Sequence, residues 1–177
     1  VQQISGLTAA DLTPDLLAEL AEVLVDAVDD GASVGFVHPF GARDAADWWT
    51  RALGPVDDGT TLMWVARDDE GRVTGTVQAA LEQMPNGRHR AEVKKLLVHR
   101  RSRGRGLGRA LLAAAERGAE QAGATLLILD TETGSPAETL YRSSGWVEVG
   151  TIPFHAAKPD GELKATTYFY KYLGETD

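Results

Sequence analysis

The chain has 177 residues, 43% hydrophobic and 25% charged, which is enough for one substantial core. Eighteen Lys and Arg against 26 Asp and Glu leave a formal net charge of −8, which argues against a general nucleic-acid-binding surface, because phosphate affinity comes from basic side chains. The absence of cysteine excludes disulfides, thiolate catalysis and Cys-based metal sites. No apolar run approaches the roughly 20 residues that span a bilayer, and Val1-Gln2-Gln3-Ile4-Ser5 lacks the features of a signal peptide. A cytoplasmic protein with a single domain over 1–177, and with no membrane or nucleic-acid partner, is the expectation.

Thr13-Pro14 reads as an N-cap followed by proline at the first helical position, and Leu17, Leu20, Leu24 and Ala27 recur at helical spacing, predicting a helix over Pro14–Asp29. A glycine-punctuated connection from Gly31 to Gly41 precedes a shorter helix near 44–53, and together they suit a lid or wall. Leu62-Met63-Trp64-Val65-Ala66 and Val73 through Ala79 predict an antiparallel hairpin, turned at Asp68-Asp69-Glu70-Gly71. Pro85-Asn86-Gly87 turns the chain into the strand that ends in Leu96-Leu97-Val98.

The next helix places Leu107, Leu111, Leu112, Ala115 and Ala119 on one face, with Glu116, Arg117 and Glu120 outside it, and Gly123 ends it. Leu126-Leu127-Ile128-Leu129 is a continuous apolar run, expected to be central, covered on both faces and parallel to the strand at 93–98. Ser135-Pro136-Ala137-Glu138 matches a capping box, with Gly145 as the stop of a short helix. Strands at 146–152 and 166–172 follow, joined through Pro159-Asp160-Gly161.

Arg103-Gly104-Arg105-Gly106-Leu107-Gly108-Arg109 joins a strand to a helix and is the strongest signal in the chain. Its glycines let backbone approach a ligand, and the free N–H groups and positive dipole end of the following helix suit a pyrophosphate. Arg101, Arg103, Arg105 and Arg109 add mobile positive charge that would repel itself without an anion. A P-loop requires Lys-Ser or Lys-Thr where Arg109-Ala110 stands. A dinucleotide fold requires G-x-G-x-x-G and a second half of a doubly wound sheet, and neither is present.

Arg103-x-x-Gly106-x-Gly108 resembles the acyl-CoA signature (Q/R)-x-x-G-x-(G/A) of the GCN5-related N-acetyltransferases, and the element order resembles theirs across nearly the whole chain. The resemblance implies a mixed α/β fold: a mostly antiparallel sheet with one splayed parallel strand pair, flanked by helices. It also implies acetyl-CoA as co-substrate, with its pyrophosphate on the glycine turn, residues 103–109, and its arm between strands 93–98 and 126–130, against the backbone of Leu96, Leu97 and Val98. Homodimers are frequent in that family, which leaves a homodimer open. A closer similarity is to the tabtoxin-resistance acetyltransferases, which acetylate a β-lactam amino-acid toxin. It rests on Gly31-Ala32-Ser33-Val34-Gly35-Phe36, Pro85-Asn86-Gly87, Arg90-Ala91-Glu92-Val93, Leu129-Asp130-Thr131-Glu132, Gly134-Ser135 and Pro159-Asp160-Gly161.

Acetyl transfer to an amine needs a base for the ammonium, donors for the oxyanion and a proton for the leaving thiolate. Glu92, which aligns with the catalytic glutamate segment of histone-modifying relatives, is the leading base and Asp130 the second. Alternatively, Glu92 is an exposed strand residue paired with Lys94, and Asp130 binds turn N–H groups. Tyr141, in Leu140-Tyr141-x-x-x-Gly145-Trp146, matches the family's tyrosine and would protonate the thiolate; core packing is the bland alternative. Many relatives carry Asn where Gly134 stands, so Ser135 becomes a substitute cofactor contact or simply a cap. The oxyanion donor implied by the resemblance is a backbone N–H near Leu97.

Phe36, Trp48, Trp49 and Phe154 are candidates for the acceptor pocket or for core packing. Four singly scattered histidines, His38, His89, His99 and His155, give no metal-ligand spacing, so no metal is expected. With no cysteine to carry an acyl group, direct transfer is expected, to a small amine such as a toxin or antibiotic. Two readings stand beside it: a protein N-terminal or lysine acetyltransferase, and a non-catalytic acyl-CoA sensor.

Overall fold

A computed structural model describes residues 3–174. Strands β1 (Gln3–Gly6), β2 (Thr61–Arg67), β3 (Val73–Leu81), β4 (Arg90–Val98), β5 (Leu126–Glu132), β6 (Val147–Ala157) and β7 (Leu163–Tyr172) form one sheet in the order β1-β2-β3-β4-β5-β7-β6. Every neighbouring pair is antiparallel except β4 and β5, as the resemblance implies. The helices are α1 (Pro14–Asp29), α2 (Ala42–Ala52), the short α3 (Gly54–Asp57), α4 (Leu107–Gln121) and α5 (Pro136–Ser143). None of the described helices is long and apolar enough to cross a membrane.

Local signals set most of these ends. The Thr13 hydroxyl accepts from the Leu16 N–H at 3.2 Å, so α1 begins and ends as its cap and periodicity predict. Ser135 caps α5 by accepting from the Glu138 N–H, while the Glu138 carboxylate accepts from the Gly134 N–H. The short β1 and α3 carry no comparable pattern and were not foreseen.

The two faces of the sheet bury separate cores. Leu107, Leu111, Leu112 and Ala115 of α4 pack on Val77, Ala79, Ala91, Val93 and Leu127, joined by Tyr141 and Trp146. Leu20, Leu24 and Val28 of α1 pack with Trp49 of α2 on Met63, Val65 and Leu97 of the opposite face. Glycines bring α4 close to the sheet: a Cβ at Gly75 would lie 2.9 Å from both Leu111 Cδ1 and the Leu97 carbonyl. Glu116, expected outside the helix's apolar face, is half-buried and accepts from Trp146 Nε1 and Lys171 Nζ, both at 2.7 Å.

The expectations for the central strands need two corrections. The parallel ladder joins only Arg90, Ala91 and Glu92 to Leu126, Leu127 and Ile128, so it lies before 93–98 rather than along it. Beyond it, β4 carries a bulge in which Lys95 and Leu96 oppose only Val77 of β3, and Lys95 has φ 51°. Meanwhile β5 stays paired with β7 from Leu126 to Glu132, so β4 turns away alone and the two strands part. The run at 126–129 is therefore covered on one face only. Leu127 and Leu129 are buried, whereas Ile128 and Asp130 are exposed beside the parting.

Gly118→Ala tests the seat of α4. A Cβ there would fall 2.0 Å from Trp64 Cζ2, so overpacking outweighs the helix propensity that alanine gains. Denaturant unfolding should show a loss of about 1–3 kcal/mol; unchanged or increased stability would mean that the indole is not held there.

Candidate functional site

The loop from β4 to α4 is built to leave donors free. After β4 a 3-10 turn (Arg100–Ser102) leads through Gly104 (φ 74°) to Gly106 (φ 77°), which is the N-cap of α4 and offers no side-chain acceptor to its first turn. Both glycines occupy the left-handed region that L side chains rarely adopt. A Cβ at either position would meet no atom within 4 Å, so the turn is open on its outer side. Gly108 serves closeness instead, since a Cβ there would sit 3.4 Å from Leu140 Cδ2. The cradle therefore fits a pyrophosphate carried by acetyl-CoA, with N–H groups and dipole aimed at the same open side.

The arginines do not behave as the sequence suggests. Arg101 pairs with Glu22 at 2.6 Å. Arg103 donates to the Val98 carbonyl at 2.8 Å and pairs with Asp30. Arg109 reaches α5, donating to Ser143 Oγ at 2.7 Å, Ser144 Oγ at 3.0 Å and the Ser143 carbonyl. Of the four, only Arg105 has no hydrogen bond or ion pair among the described residues. Part of the cluster's charge is met without a ligand, because Glu22, Asp26 and Asp30, at successive i, i+4 positions along α1 and its C-cap, pair with Arg101, Arg100 and Arg103, whereas Arg105 and Arg109 have no carboxylate partner among the described residues.

Asp26 is the centre of that grip. It is 6% exposed and accepts from the Arg100 N–H at 2.8 Å and from Arg100 Nε at 2.7 Å. Burial alone would raise its carboxyl, but these hydrogen bonds and the charges of His99 and Arg100 outweigh it and hold the carboxyl below the usual range. Sequence reasoning missed all three acids. Their spacing along a helix, facing a run of arginines 70 to 80 residues later, was the only available signal.

Glu92 and Asp130 come to the same face of the sheet, since Glu92 is in register with Ile128 and Asp130 is two residues further along β5. Both are exposed. Tyr141 approaches from the opposite face, 6% exposed, with its ring 5.9 Å from Trp146 and 6.1 Å from Phe169. Its hydroxyl has no hydrogen-bond partner among the described residues. Burial, and then the charge of Asp130, push its pKa up, so the phenol holds its proton through the neutral range. Leu96 lies in the bulge of β4, with Leu97 and Val98 beyond it; the Val98 carbonyl is already engaged by Arg103. Ser135 is occupied as a helix cap and lies 3.4 Å from Thr131 Oγ1.

Of the four aromatic candidates, Phe36 and Trp48 are half-buried and meet. Phe36 packs edge-on to Trp48, with centroids 5.5 Å apart, in the connection that runs over this face and bonds back to the β6–β7 turn through His38 N–H to the Pro159 carbonyl at 2.8 Å. Trp49 is a correction: it is fully buried between α1 and α2, with its indole N–H on the Leu20 carbonyl at 3.0 Å, and cannot line a pocket. Phe154 does not join the Phe36–Trp48 pair. It is 74% exposed in the bulge of β6, and its ring stacks on no described aromatic ring.

The sequence also missed Lys95. Its bulge turns Nζ to the Val34 carbonyl at 2.9 Å, with Trp48 and Phe36 centroids at 5.0 and 5.7 Å.

The Asp26 grip has a pH signature. Because its folded carboxyl lies below the unfolded value of about 3.9, its stabilisation is complete above that pH and fades as pH falls through the folded value. Asp26→Asn should cost about 1–3 kcal/mol of unfolding free energy between pH 5 and 7, with the deficit shrinking below about pH 4. A deficit that grows on acidification would contradict this assignment.

Comparison with known proteins places this geometry. The Acetyltransferase (GNAT) domain family matches residues 59–148, just over half of the chain. A ribosomal-protein-alanine N-acetyltransferase from Brucella melitensis superposes with a TM-score of 0.77 at 26% identity, over 97% of this chain and 99% of that one. A phosphinothricin acetyltransferase of the GNAT superfamily from Sinorhizobium meliloti, solved with acetyl-CoA, gives 0.79 at 22% identity, over 98% and 89%. A Salmonella typhimurium structure with its cofactor acetyl-CoA gives 0.76 at 22% identity, over 100% and 96%. Since the family match runs through the glycine cradle and both parted strands, this chain belongs to the GNAT acetyltransferases and is an N-acetyltransferase with acetyl-CoA as its co-substrate.

Proposed function

We propose that the chain is one catalytic domain that acetylates the amine of a small molecule, of the toxin or antibiotic kind that tabtoxin-resistance enzymes modify, in the cytoplasm. The observation that carries the reading is the parting of β4 from β5, with Glu92 and Asp130 on one side and the protonated Tyr141 reaching it from the other. Acetyl-CoA supplies the thioester-activated acetyl group. The cradle at 103–108 and the Arg105 guanidinium hold its phosphates, and the β4 backbone at 96–98 lies along the gap where its arm would run.

Glu92, or Asp130 beside it, accepts the proton that an ammonium must lose before it can attack, directly or through water. The Leu97 region of β4 offers a backbone N–H to the developing oxyanion. Tyr141 holds at its hydroxyl the proton that the departing thiolate takes. Phe36 and Trp48 form the acceptor's apolar wall, on the same face as the two carboxylates. The exposed apolar residues of β6, Val147, Val149, Ile152 and Phe154, are the surface available to a second copy if the protein is a homodimer.

A second reading, acetylation of a protein N-terminus, is favoured by the 26% identity to the Brucella ribosomal-protein enzyme. Coenzyme A release measured over small amines, including β-lactam amino acids and aminoglycosides, and over peptides separates the two. Turnover confined to peptides would overturn the first.

Tyr141→Phe should lower kcat by about 100-fold or more while acetyl-CoA binding, measured by calorimetry, stays within about twofold. An unchanged kcat would remove Tyr141 from the chemistry. Glu92→Gln and Asp130→Asn, compared through their pH–rate profiles, identify the base: the true base abolishes the acidic limb when it is replaced.

A further inference from the structure

Lys95 is held in a way that the chemistry assigned above does not use. It is the first residue of the β4 bulge, directly after Lys94, the last in register with β3, and it adopts φ 51° although it is not glycine. Such a backbone is costly and persists only where surroundings enforce it. Here it turns a lysine onto the face that carries Glu92 and Asp130. The Nζ donates one hydrogen bond, to the Val34 carbonyl, and lies over the rings of Trp48 and Phe36. An ammonium has three donors. Among the described residues no other acceptor and no ion pair engages it.

The surroundings act on that amine in opposite directions, and burial, the largest influence, leaves its pKa below the usual lysine value. Burial lowers its pKa, and Lys94 adds to this, but Asp130 and Glu92 oppose both, and the aromatic faces attract a cation. The result is a half-buried amine beside the acceptor wall with donors to spare, in a protein of net charge −8, and an anionic partner would offset the cost of burying its charge. Three residues of strand span roughly 10 Å at most, so Glu92 and Lys95 lie within reach of the two ends of one small molecule.

We propose that Lys95 binds an anionic group of the acceptor, so that the preferred acceptors are small zwitterions with a carboxylate a few bonds from the amine. This rests on the small-molecule reading. The carboxylates of Glu92 and Asp130 take the amine end, and the ammonium framed by Val34, Phe36 and Trp48 takes the acid end. A hydrogen bond between two charged groups at this depth is a strong source of selectivity.

The test pairs α-, β- and γ-amino acids with their carboxamides as acceptors, in wild type, Lys95→Met and Lys95→Arg. Lys95→Met keeps the apolar stem and should raise KM for the amino acids about 10- to 100-fold relative to its effect on the carboxamides, with kcat changing far less. Lys95→Arg should keep the preference for the carboxylate. Equal effects on both acceptor classes would overturn the proposal. A second readout needs no turnover: Trp48 fluorescence in the acetyl-CoA complex, with Trp48→Phe identifying the signal. The amino acids should change it in wild type, the carboxamides much less, and Lys95→Met should abolish the difference. If wild type acetylates peptides alone, the small-molecule reading falls, and the fluorescence titration alone decides whether Lys95 holds a carboxylate.

Discussion

The site depends on one mismatch between neighbouring strands. β5 is paired with β7 along its whole length, whereas β4 keeps register with β5 for three residues and then bends at a bulge. Backbone groups freed in this way have no ladder partner, which inside a sheet is tolerated only where something else can occupy the gap. The same bend leaves Ile128 and Asp130 exposed and turns Lys95 towards the wall above, while Tyr141 of α5, on the other face, lies near enough to feel the Asp130 charge. One irregularity thus produces both the slot for the acyl donor and the side chains around it.

A second constraint keeps the far end of that slot in place. The loop after β4 must leave its N–H groups unpaired, which makes it a poor structure in isolation. It is held by groups outside itself: Asp26 takes the Arg100 backbone and guanidinium, Glu22 takes Arg101, Asp30 takes Arg103, and Arg109 ties the first turn of α4 to the end of α5. The arginines fix the shape of the cradle, and the backbone and Arg105 remain for the ligand. α1 is therefore part of the donor site.

How far the site could be read from the chain follows from the range of each interaction. The cap at Thr13, the capping box at Ser135 and the left-handed glycines at 104 and 106 act within four residues, so α1, α5 and the cradle were legible with their ends. Glu92, Asp130 and Tyr141 were legible as candidates through the family motifs, and the alternation of strands brings the two carboxylates to one face. The two tryptophans were not separable: adjacent helix positions differ by about 100° in direction, which sends Trp49 into the core and Trp48 to the cleft.

The sequence by itself determined an anion site, because a glycine turn at a helix N-terminus is a local structure set by consecutive residues, and the resemblance of that turn to the acyl-CoA signature is what implied the acyl donor. It also determined the order of elements and hence the kind of sheet. Only the tertiary structure decided what surrounds the acceptor. Whether an arginine is free or held depended on carboxylates more than 70 residues away, and whether a lysine faces solvent or the cleft depended on a bulge that shifts the two-residue alternation of β4. Side-chain direction past such a bulge is fixed by pairing with other strands, which no local pattern records.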